Sequence, residues 1–270
     1  MVNFYENKNI EITWQTPNNT EGEVYKKLLE KKDSYDFNYI AYPWANFVDI
    51  SNSNKKNLIE VLGENQKKFP CNELNVTCFQ SYHIWNYIEE FKQMNINIIF
   101  SPHCEYEIIN LIYHKYQILI LPIFLIPIIT PDKKFDFEFK DKIDNLDLDL
   151  DYFYKFKSFE LNKKKYDFSF IGSSKYNDTN VTKFRKSIVK LLKYSDENNY
   201  IYELDKWHLN ELIYEKDFNN NKKYNKELRE INYMQNMYYS KYVICPKGIG
   251  PNSFRISEAL KFNNIPIIIN

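Results

Sequence analysis

The C-terminal stretch of the chain, residues 238–270, restricts its fold more than any other segment. Residues 242–245 form a β-branched apolar run, and residues 246–253 have the Pro, Gly and Asn content of a turn. Residues 255–262 repeat apolar positions at helical spacing, and residues 265–269 have the pattern of a buried strand. The order strand, loop, helix, strand predicts an α/β fold. We expect four side chains to point inward from the helix: Phe254, Ala259, Leu260 and Phe262.

The loop in this stretch is suited to holding an anion. The chain has only five Gly, and two of them, Gly248 and Gly250, lie in this loop. A flexible loop before a helix offers free backbone N–H groups, and the helix dipole favours negative charge at the same place. Nucleotide or sugar-nucleotide binding is therefore the leading hypothesis.

The overall composition argues against nucleic acid and membrane partners. With 270 residues and 44% hydrophobic content, the chain can form one large or two ordinary domains. Its 36 basic and 36 acidic residues balance, so no net field attracts nucleic acid. The longest apolar run, residues 118–129, is too short to be a transmembrane segment. The N-terminus has no signal-peptide layout, so we expect a cytoplasmic protein of a microbial or virus-infected host cell.

Cysteines and aromatic residues carry little functional information here. The four Cys have no metal-ligand spacing and imply no disulfide framework. Cys78 and Cys245 lie in apolar runs, where Cys usually packs as a small core residue. The 23 Tyr and 20 Phe, with abundant Asn, Lys and Ile, indicate an AT-rich coding bias, so a single Tyr or Asn is weak evidence of function.

Strands alternate with helices in both halves, which predicts mostly parallel sheets. In the first half we expect strands in residues 38–44, 74–80, 96–100 and 119–121, a helix in 82–94, and a short helix or turn in 108–113. In the second half we expect strands in residues 166–174, 200–204, 242–245 and 265–269, and helices in 182–194, 227–237 and 255–262.

A junction separates the two halves. Residues 130–165 break the alternation, and the acidic segment 144–152 is either an edge strand or a mobile linker. We therefore expect an N-terminal Rossmann-like domain in residues 1–140, a junction in 141–165 and a C-terminal Rossmann-like domain in 166–270. The two domains are expected to face each other across a cleft, with ligands beyond the carboxyl ends of the strands.

Two segments of the second half resemble the exostosin-like glycosyltransferases, which have the two-domain arrangement called GT-B. Residues 168–173 (FSFIGS), followed by Arg185 and an apolar helix, are similar to the family's F-x-G … R opening of its C-terminal domain. Residues 244–268 are more specific, because they are similar to its C-P-x-G … S-x-R-x-x-E-A-L … I-P-V-I pattern. Three shorter segments resemble strand ends of its N-terminal domain: residues 42–44, 78–80 and 121–123.

The chain departs from the family pattern in two places. Asn264 stands where the family has Gly before Ile-Pro. The chain also ends at Asn270, on a strand that the family follows with a polar loop and further helices. We expect either a compact variant or an incomplete C-terminal domain, and catalytic competence depends on which is correct.

The resemblance implies a glycosyltransferase that moves a sugar from a nucleotide-sugar donor, with a UDP-sugar favoured, to a glycan or other hydroxyl acceptor. Two alternatives stay open: a non-catalytic, degenerate transferase that binds a nucleotide or sugar, and a fucosyltransferase-like GT-B enzyme that uses a GDP-sugar. No cofactor is required beyond the donor, and a divalent metal is compatible with the pattern but not predicted. Asp147, Asp149 and Asp151 match Asp-x-Asp metal pairs in letters, but they lie in the junction, where a solvated edge is the alternative.

The resemblance also implies a donor site. A departing nucleoside diphosphate needs cations or N–H donors at its β-phosphate. The implied donor contacts are Gly172, Ser173, Lys247, Gly248, Gly250, Asn252, Ser253, Arg255 and Glu258. Glu258 would accept hydrogen bonds from ribose or sugar hydroxyls. The alternatives are a surface Glu258 paired with Lys261 or Arg255, a structural ion pair with Glu258 as the role of Arg255, and a tight turn at Gly172. Ser253 is expected to be the helix N-cap whatever else it does.

An inverting transfer also needs a general base for the acceptor hydroxyl. His83, ranked first, His103 and Glu105 follow strand ends in the first half, although each is also an ordinary polar loop residue. Tyr42, Trp44 and Gln80 at strand exits are the expected acceptor contacts, with core packing as the alternative for Trp44.

Overall fold

The chain folds into two compact units, each built on one parallel sheet. The computed structural model describes residues 4–6, 14, 19–51, 69, 73–131, 164–174, 179–204, 220–248 and 252–269. The first unit comprises Met1–Ile126 with Gly250–Asn252, and the second comprises Pro127–Ile249 with Ser253–Asn270. Of the predicted junction, only Lys164 and Lys165 lie within the described residues. The mixed α/β class with parallel sheets is confirmed.

The first unit holds a five-stranded parallel sheet in the order β1-β2-β3-β4-β5. Its strands are β1 (Phe4–Glu6), β2 (Asn38–Ala41), β3 (Asn75–Cys78), β4 (Ile98–Ser101) and β5 (Leu119–Pro122). Its helices are α1 (Thr20–Glu30), α2 (Trp44–Ser51), α3 (Ile88–Gln93) and α4 (Tyr106–Tyr116), with 3-10 turns at Lys32–Ser34 and Tyr82–Tyr87. Strand order equals chain order, so the described strands of this sheet contain no reversal.

Apolar side chains pack on both faces of this sheet. One face carries the larger cluster, in which Ile40, Phe79 and Ile99 pack with the fully buried Trp44. The other face carries a smaller cluster that includes Cys78 and packs against α1. Burial on both faces is what keeps a parallel sheet stable, and it explains the continuous apolar runs of these strands.

The second unit holds a four-stranded parallel sheet in the order β7-β6-β8-β9. Its strands are β6 (Tyr166–Ser173), β7 (Asn199–Leu204), β8 (Ser240–Pro246) and β9 (Ile265–Ile269). Its helices are α5 (Thr179–Lys193), α6 (Asn220–Tyr239) and α7 (Phe254–Lys261). One cluster packs α6 and α7 against β8, and another packs α5 against β6.

Lys164 and Asn264 close the carboxyl end of α6. The Lys164 Nζ donates to the Tyr238 carbonyl at 2.7 Å and to the Asn264 Oδ1 at 2.8 Å. The Asn264 Nδ2 donates to the Met237 carbonyl at 2.7 Å. These carbonyls belong to the last turn of the helix, which has no intrahelical donors for them. Asn264 therefore serves as a cap for this helix end.

The predicted strands of both halves are present, with ends shifted by a few residues. The helix predicted at residues 82–94 is divided into the 3-10 turn at Tyr82–Tyr87 and α3, and the helix predicted at residues 227–237 already begins at Asn220. Among the described elements, β1, α1, α2 and the 3-10 turn at Lys32–Ser34 were not predicted. The inward assignment of Leu260 is wrong, because its side chain is 51% exposed. The buried row of α7 instead contains Ile256 and Ala259, continues to Phe262, and leaves Leu260 on the solvent side.

Candidate functional site

The strand order of the second sheet reverses between β6 and β8. The chain passes from β6 to β7 on one side and then places β8 on the other side of β6. Connections that leave in opposite directions keep the carboxyl ends of the two central strands open, and open α/β sheets bind ligands at such a switch point. The strands end at Ser173 and Pro246, beside predicted donor residues.

Arg185 of α5 joins the two strand ends. Its Nε donates to the Ser173 carbonyl at 2.8 Å, and its Nη1 donates to the carbonyls of Pro246 and Lys247 at 3.2 and 3.0 Å. The side chain is buried, and its guanidinium lies 5.4 Å from the centroid of the Phe170 ring. A guanidinium carries several N–H donors in a fixed fork, which lets one side chain bind three carbonyls. Arg185 therefore sets the spacing of the switch point and adds positive charge beneath it.

Gly172, the penultimate residue of β6, makes room for a second arginine. A Cβ at this position would lie 2.2 Å from the Nη2 of Arg255 and 3.4 Å from the Nη2 of Arg185. The backbone φ of Gly172 is +155°, a conformation that residues with a side chain rarely adopt. Gly172 is thus required both by its backbone and by the close approach of Arg255.

Arg255 places a guanidinium at the switch point from the first turn of α7. Its group lies 5.7 Å from the centroid of Phe170. Its Nε is buried and has no hydrogen-bond partner among the described residues. Ser253 is the N-cap of α7, as predicted, although its side chain makes no capping hydrogen bond. The positive end of a helix and an arginine with an unused donor are both features that favour an anion.

Glu258 is buried beneath Arg255. Only 5% of its surface is exposed, so the alternative of a helix-surface glutamate paired with Lys261 is wrong. Its Oε1 accepts from the Ile129 amide at 3.3 Å, and its Oε2 accepts from the Tyr233 hydroxyl. Burial raises the pKa of Glu258, and the Tyr233 hydrogen bond and the Arg255 charge partly oppose this shift.

The other predicted donor residues differ in their surroundings. Arg185 donates hydrogen bonds to the backbone carbonyls of both Ser173 and Lys247. The side chain of Lys247 is exposed. Gly248 is not sterically required, because a Cβ there would meet nothing within 4 Å. Asn252 belongs to the first unit, where its Nδ2 donates to the Pro102 carbonyl at 3.1 Å. Gly250 lies outside the described residues.

His103 is the most distinctive of the three predicted bases. Its side chain is buried, and its Nδ1 has no hydrogen-bond partner within the described part of the chain. Burial lowers the pKa of His103 to about 4, although a backbone hydrogen bond at Gln80 opposes the shift. The imidazole is therefore neutral at pH 7, with a free lone pair on one nitrogen.

His83 and Glu105 occupy ordinary polar positions. His83 is half-buried, and its ring centroid lies 3.9 Å from that of Tyr82. Glu105 is the exposed N-cap residue of α4. Neither has the burial or the unpartnered atom that distinguishes His103.

The predicted acceptor residues lie mainly in the interior of the first unit. Trp44 is fully buried, and its Nε1 donates to the Thr77 Oγ1 at 2.8 Å, so it occupies the core position that the alternative assigned to it. Burial raises the pKa of Tyr42 to about 12, and its hydroxyl has no partner among the described residues. The Gln80 Oε1 accepts from the Glu21 amide at 3.0 Å.

Glu21 is a buried carboxylate that the sequence did not reveal. Its Oε1 accepts from the Gln80 amide at 2.9 Å and from the Ala45 amide at 3.2 Å, and only 1% of its surface is exposed. It thereby occupies the start of α2, where the helix has unpaired N–H groups. The available signal was weak: Asn19 as an N-cap with Glu21 in the first turn of a helix.

The described residues contain no group of three or more His, Cys, Asp or Glu that could hold a metal ion, and the junction residues Asp147, Asp149 and Asp151 lie outside them. None of the described helices is long and apolar enough to cross a membrane. The chain matches no model of a known protein family, and no curated protein matches it.

Proposed function

We propose that the second unit binds the diphosphate of a nucleotide sugar and that the chain transfers the sugar to a hydroxyl acceptor. The observation that supports this proposal best is the Arg255 guanidinium above Gly172 at the switch point of the sheet. Its Nε is buried and has no partner among the described residues, and a phosphate oxygen that reached it would satisfy this donor. A UDP-sugar is the favoured donor, and the acceptor is a glycan or another hydroxyl compound, because the motifs resemble those of exostosin-like enzymes.

The same groups account for departure of the nucleoside diphosphate. Charge builds up on the β-phosphate as the sugar leaves, and fixed cations stabilise it without rearrangement. Arg255 supplies the direct contact, and Arg185 supplies a second positive charge held rigidly by three carbonyls. This pair makes a metal-independent transfer feasible. On the same proposal, the two units are the two Rossmann-like domains of a GT-B enzyme.

His103 is the proposed general base in the first unit. Its neutral imidazole can take the proton of an acceptor hydroxyl as the oxygen attacks the sugar. The support is chemical, since a free lone pair is present at neutral pH. His83 is the second candidate for the general base, because it lacks the burial and the unpartnered nitrogen of His103.

Titration calorimetry with UDP, GDP and their sugars, with and without Mg²⁺ or Mn²⁺, tests the donor site. We expect UDP to bind without metal, and Arg255→Lys to weaken binding roughly tenfold, because Lys lacks the fork that holds two phosphate oxygens. Asp167→Asn is the matched control, since Asp167 pairs with Lys241 at 2.6 Å at the opposite end of β6. Strict metal dependence, or equal binding by wild type and Arg255→Lys, would refute the site.

A nucleotide-binding protein without transferase activity is the second candidate. It is favoured by the burial of the His103 Nδ1, which an acceptor would have to reach. Nucleotide binding without donor hydrolysis or transfer to any of a broad panel of acceptors would support it. A clear preference for GDP over UDP would instead favour a fucosyltransferase-like enzyme.

A further inference from the structure

The Glu258 carboxylate connects three segments of the second unit. Its Oε1 accepts from the Ile129 amide, which belongs to residues 127–131, the first segment of this unit. Its Oε2 accepts from the Tyr233 hydroxyl of α6, and Glu258 itself lies on α7. The Ile128 backbone also forms a hydrogen bond that favours the charged carboxylate. A single side chain thus ties α7 to α6 and to residues 127–131.

This carboxylate has little capacity left for a ligand. A carboxylate offers about four acceptor positions, and protein donors from three residues already use it. Only 5% of the Glu258 surface is exposed. About one acceptor position is left, and burial of the carboxylate leaves a ribose hydroxyl little room to reach it.

Arg255 lies one turn before Glu258 on α7, so whatever fixes this helix also fixes the guanidinium over Gly172. The titratable and charged groups around Glu258 are Tyr233 on α6, Arg255 on α7 and Cys245 on β8. We propose that Glu258 is a positioning residue, which anchors α7 to α6 and to residues 127–131 and so holds Arg255 at the diphosphate, without touching the donor. This inference rests on the proposed function.

The test compares Glu258→Ala with Glu258→Gln, using UDP and uridine as probes and amide hydrogen exchange at Ile128 and Ile129 as a ligand-free readout. Glu258→Ala removes both acceptors, whereas Glu258→Gln keeps one oxygen for the Ile129 amide. We expect Glu258→Ala to speed exchange at both amides and to weaken UDP binding roughly tenfold, the equivalent of one misaligned charged hydrogen bond. Uridine affinity should change less than about twofold, and Glu258→Gln should restore most of the UDP affinity.

Equal losses of UDP and uridine affinity in both variants would overturn the proposal, because that pattern belongs to a direct ribose ligand. Unchanged UDP affinity in a less stable Glu258→Ala would also overturn it, because the role would then be structural alone. If Glu258→Ala does not fold, Tyr233→Phe removes one of the bonds and should lower UDP affinity but not uridine affinity. If the wild type binds neither probe, the proposed function fails, and unchanged exchange at Ile129 would separately reject the anchor.

Discussion

Replacing Gly172 by Ala should disturb both the stability of the second unit and its anion site. The new Cβ would stand 2.2 Å from the Nη2 and 3.0 Å from the Cζ of Arg255, distances that carbon atoms do not tolerate. The guanidinium is the end of a flexible side chain, so it would move away from the strand end. The phosphate contact that we assign to Arg255 would move with it.

The energetic cost has two parts. A side chain at a φ of +155° stores strain of about 1–3 kcal/mol. Loss of the Arg255 position over the Phe170 ring adds about 0.5–1 kcal/mol. We therefore expect Gly172→Ala to lower the free energy of unfolding by roughly 1.5–4 kcal/mol and to weaken UDP binding at least as much as Arg255→Lys.

Urea denaturation and UDP titration measure the two effects. Gly248→Ala is the matched stability control, because a Cβ at Gly248 meets nothing within 4 Å. In an Arg255→Ala background the clash disappears, so Gly172→Ala should there cost about 1 kcal/mol less than in the wild type. A Gly172→Ala protein as stable as the wild type, or one that binds UDP equally well, would refute the assigned geometry.

Three further predictions concern buried polar groups. Arg185→Lys should lower the free energy of unfolding by about 2–4 kcal/mol in urea titrations, because an ammonium cannot bind all three carbonyls; a change below 1 kcal/mol would contradict this. Because the folded pKa of His103 is about 4 against about 6.5 unfolded, its contribution to stability is lost as pH falls between these values. The stability gap between wild type and His103→Asn should therefore shift by about 3 kcal/mol from pH 7 to pH 4, and a constant gap would count against burial of His103. Glu21→Gln should cost about 1–3 kcal/mol, since its amide donor would face the Ala45 N–H; thermal melts of equal midpoint would argue against that contact.

The parallel strands could be predicted because each is a short apolar run between turn residues, and that pattern is local. Helices α1 and α2 were not predicted, for two different reasons. The α1 stretch is polar overall and is recognisable mainly from its cap at Asn19. The α2 stretch starts directly after Pro43 and is apolar along most of its length, so it resembled the end of a strand and a loop.

Residues of the candidate site could be predicted from sequence only where their residue type usually has one structural role at such a position. Gly172 and Arg255 were each predicted as donor contacts from their places at a strand end and a helix start, and the structure brings the two together. Their role in binding a donor stays a prediction. The role of Arg185 depends on carbonyls up to 62 positions away in sequence, and the Glu21 carboxylate binds an amide 59 positions away. Such long-range hydrogen bonds leave no periodicity in the sequence, so a local pattern cannot reveal them.

The cap formed by Asn264 couples two positions that are far apart in the chain. The Asn264 side chain gives Lys164 an acceptor and the Met237 carbonyl a donor. Replacing Asn264 by Gly would remove both partners at once and leave the half-buried ammonium and the helix-end carbonyl with fewer hydrogen bonds. Substitutions at Asn264 and Lys164 should therefore not be additive in their effect on stability, because each removes the same bond between the two side chains.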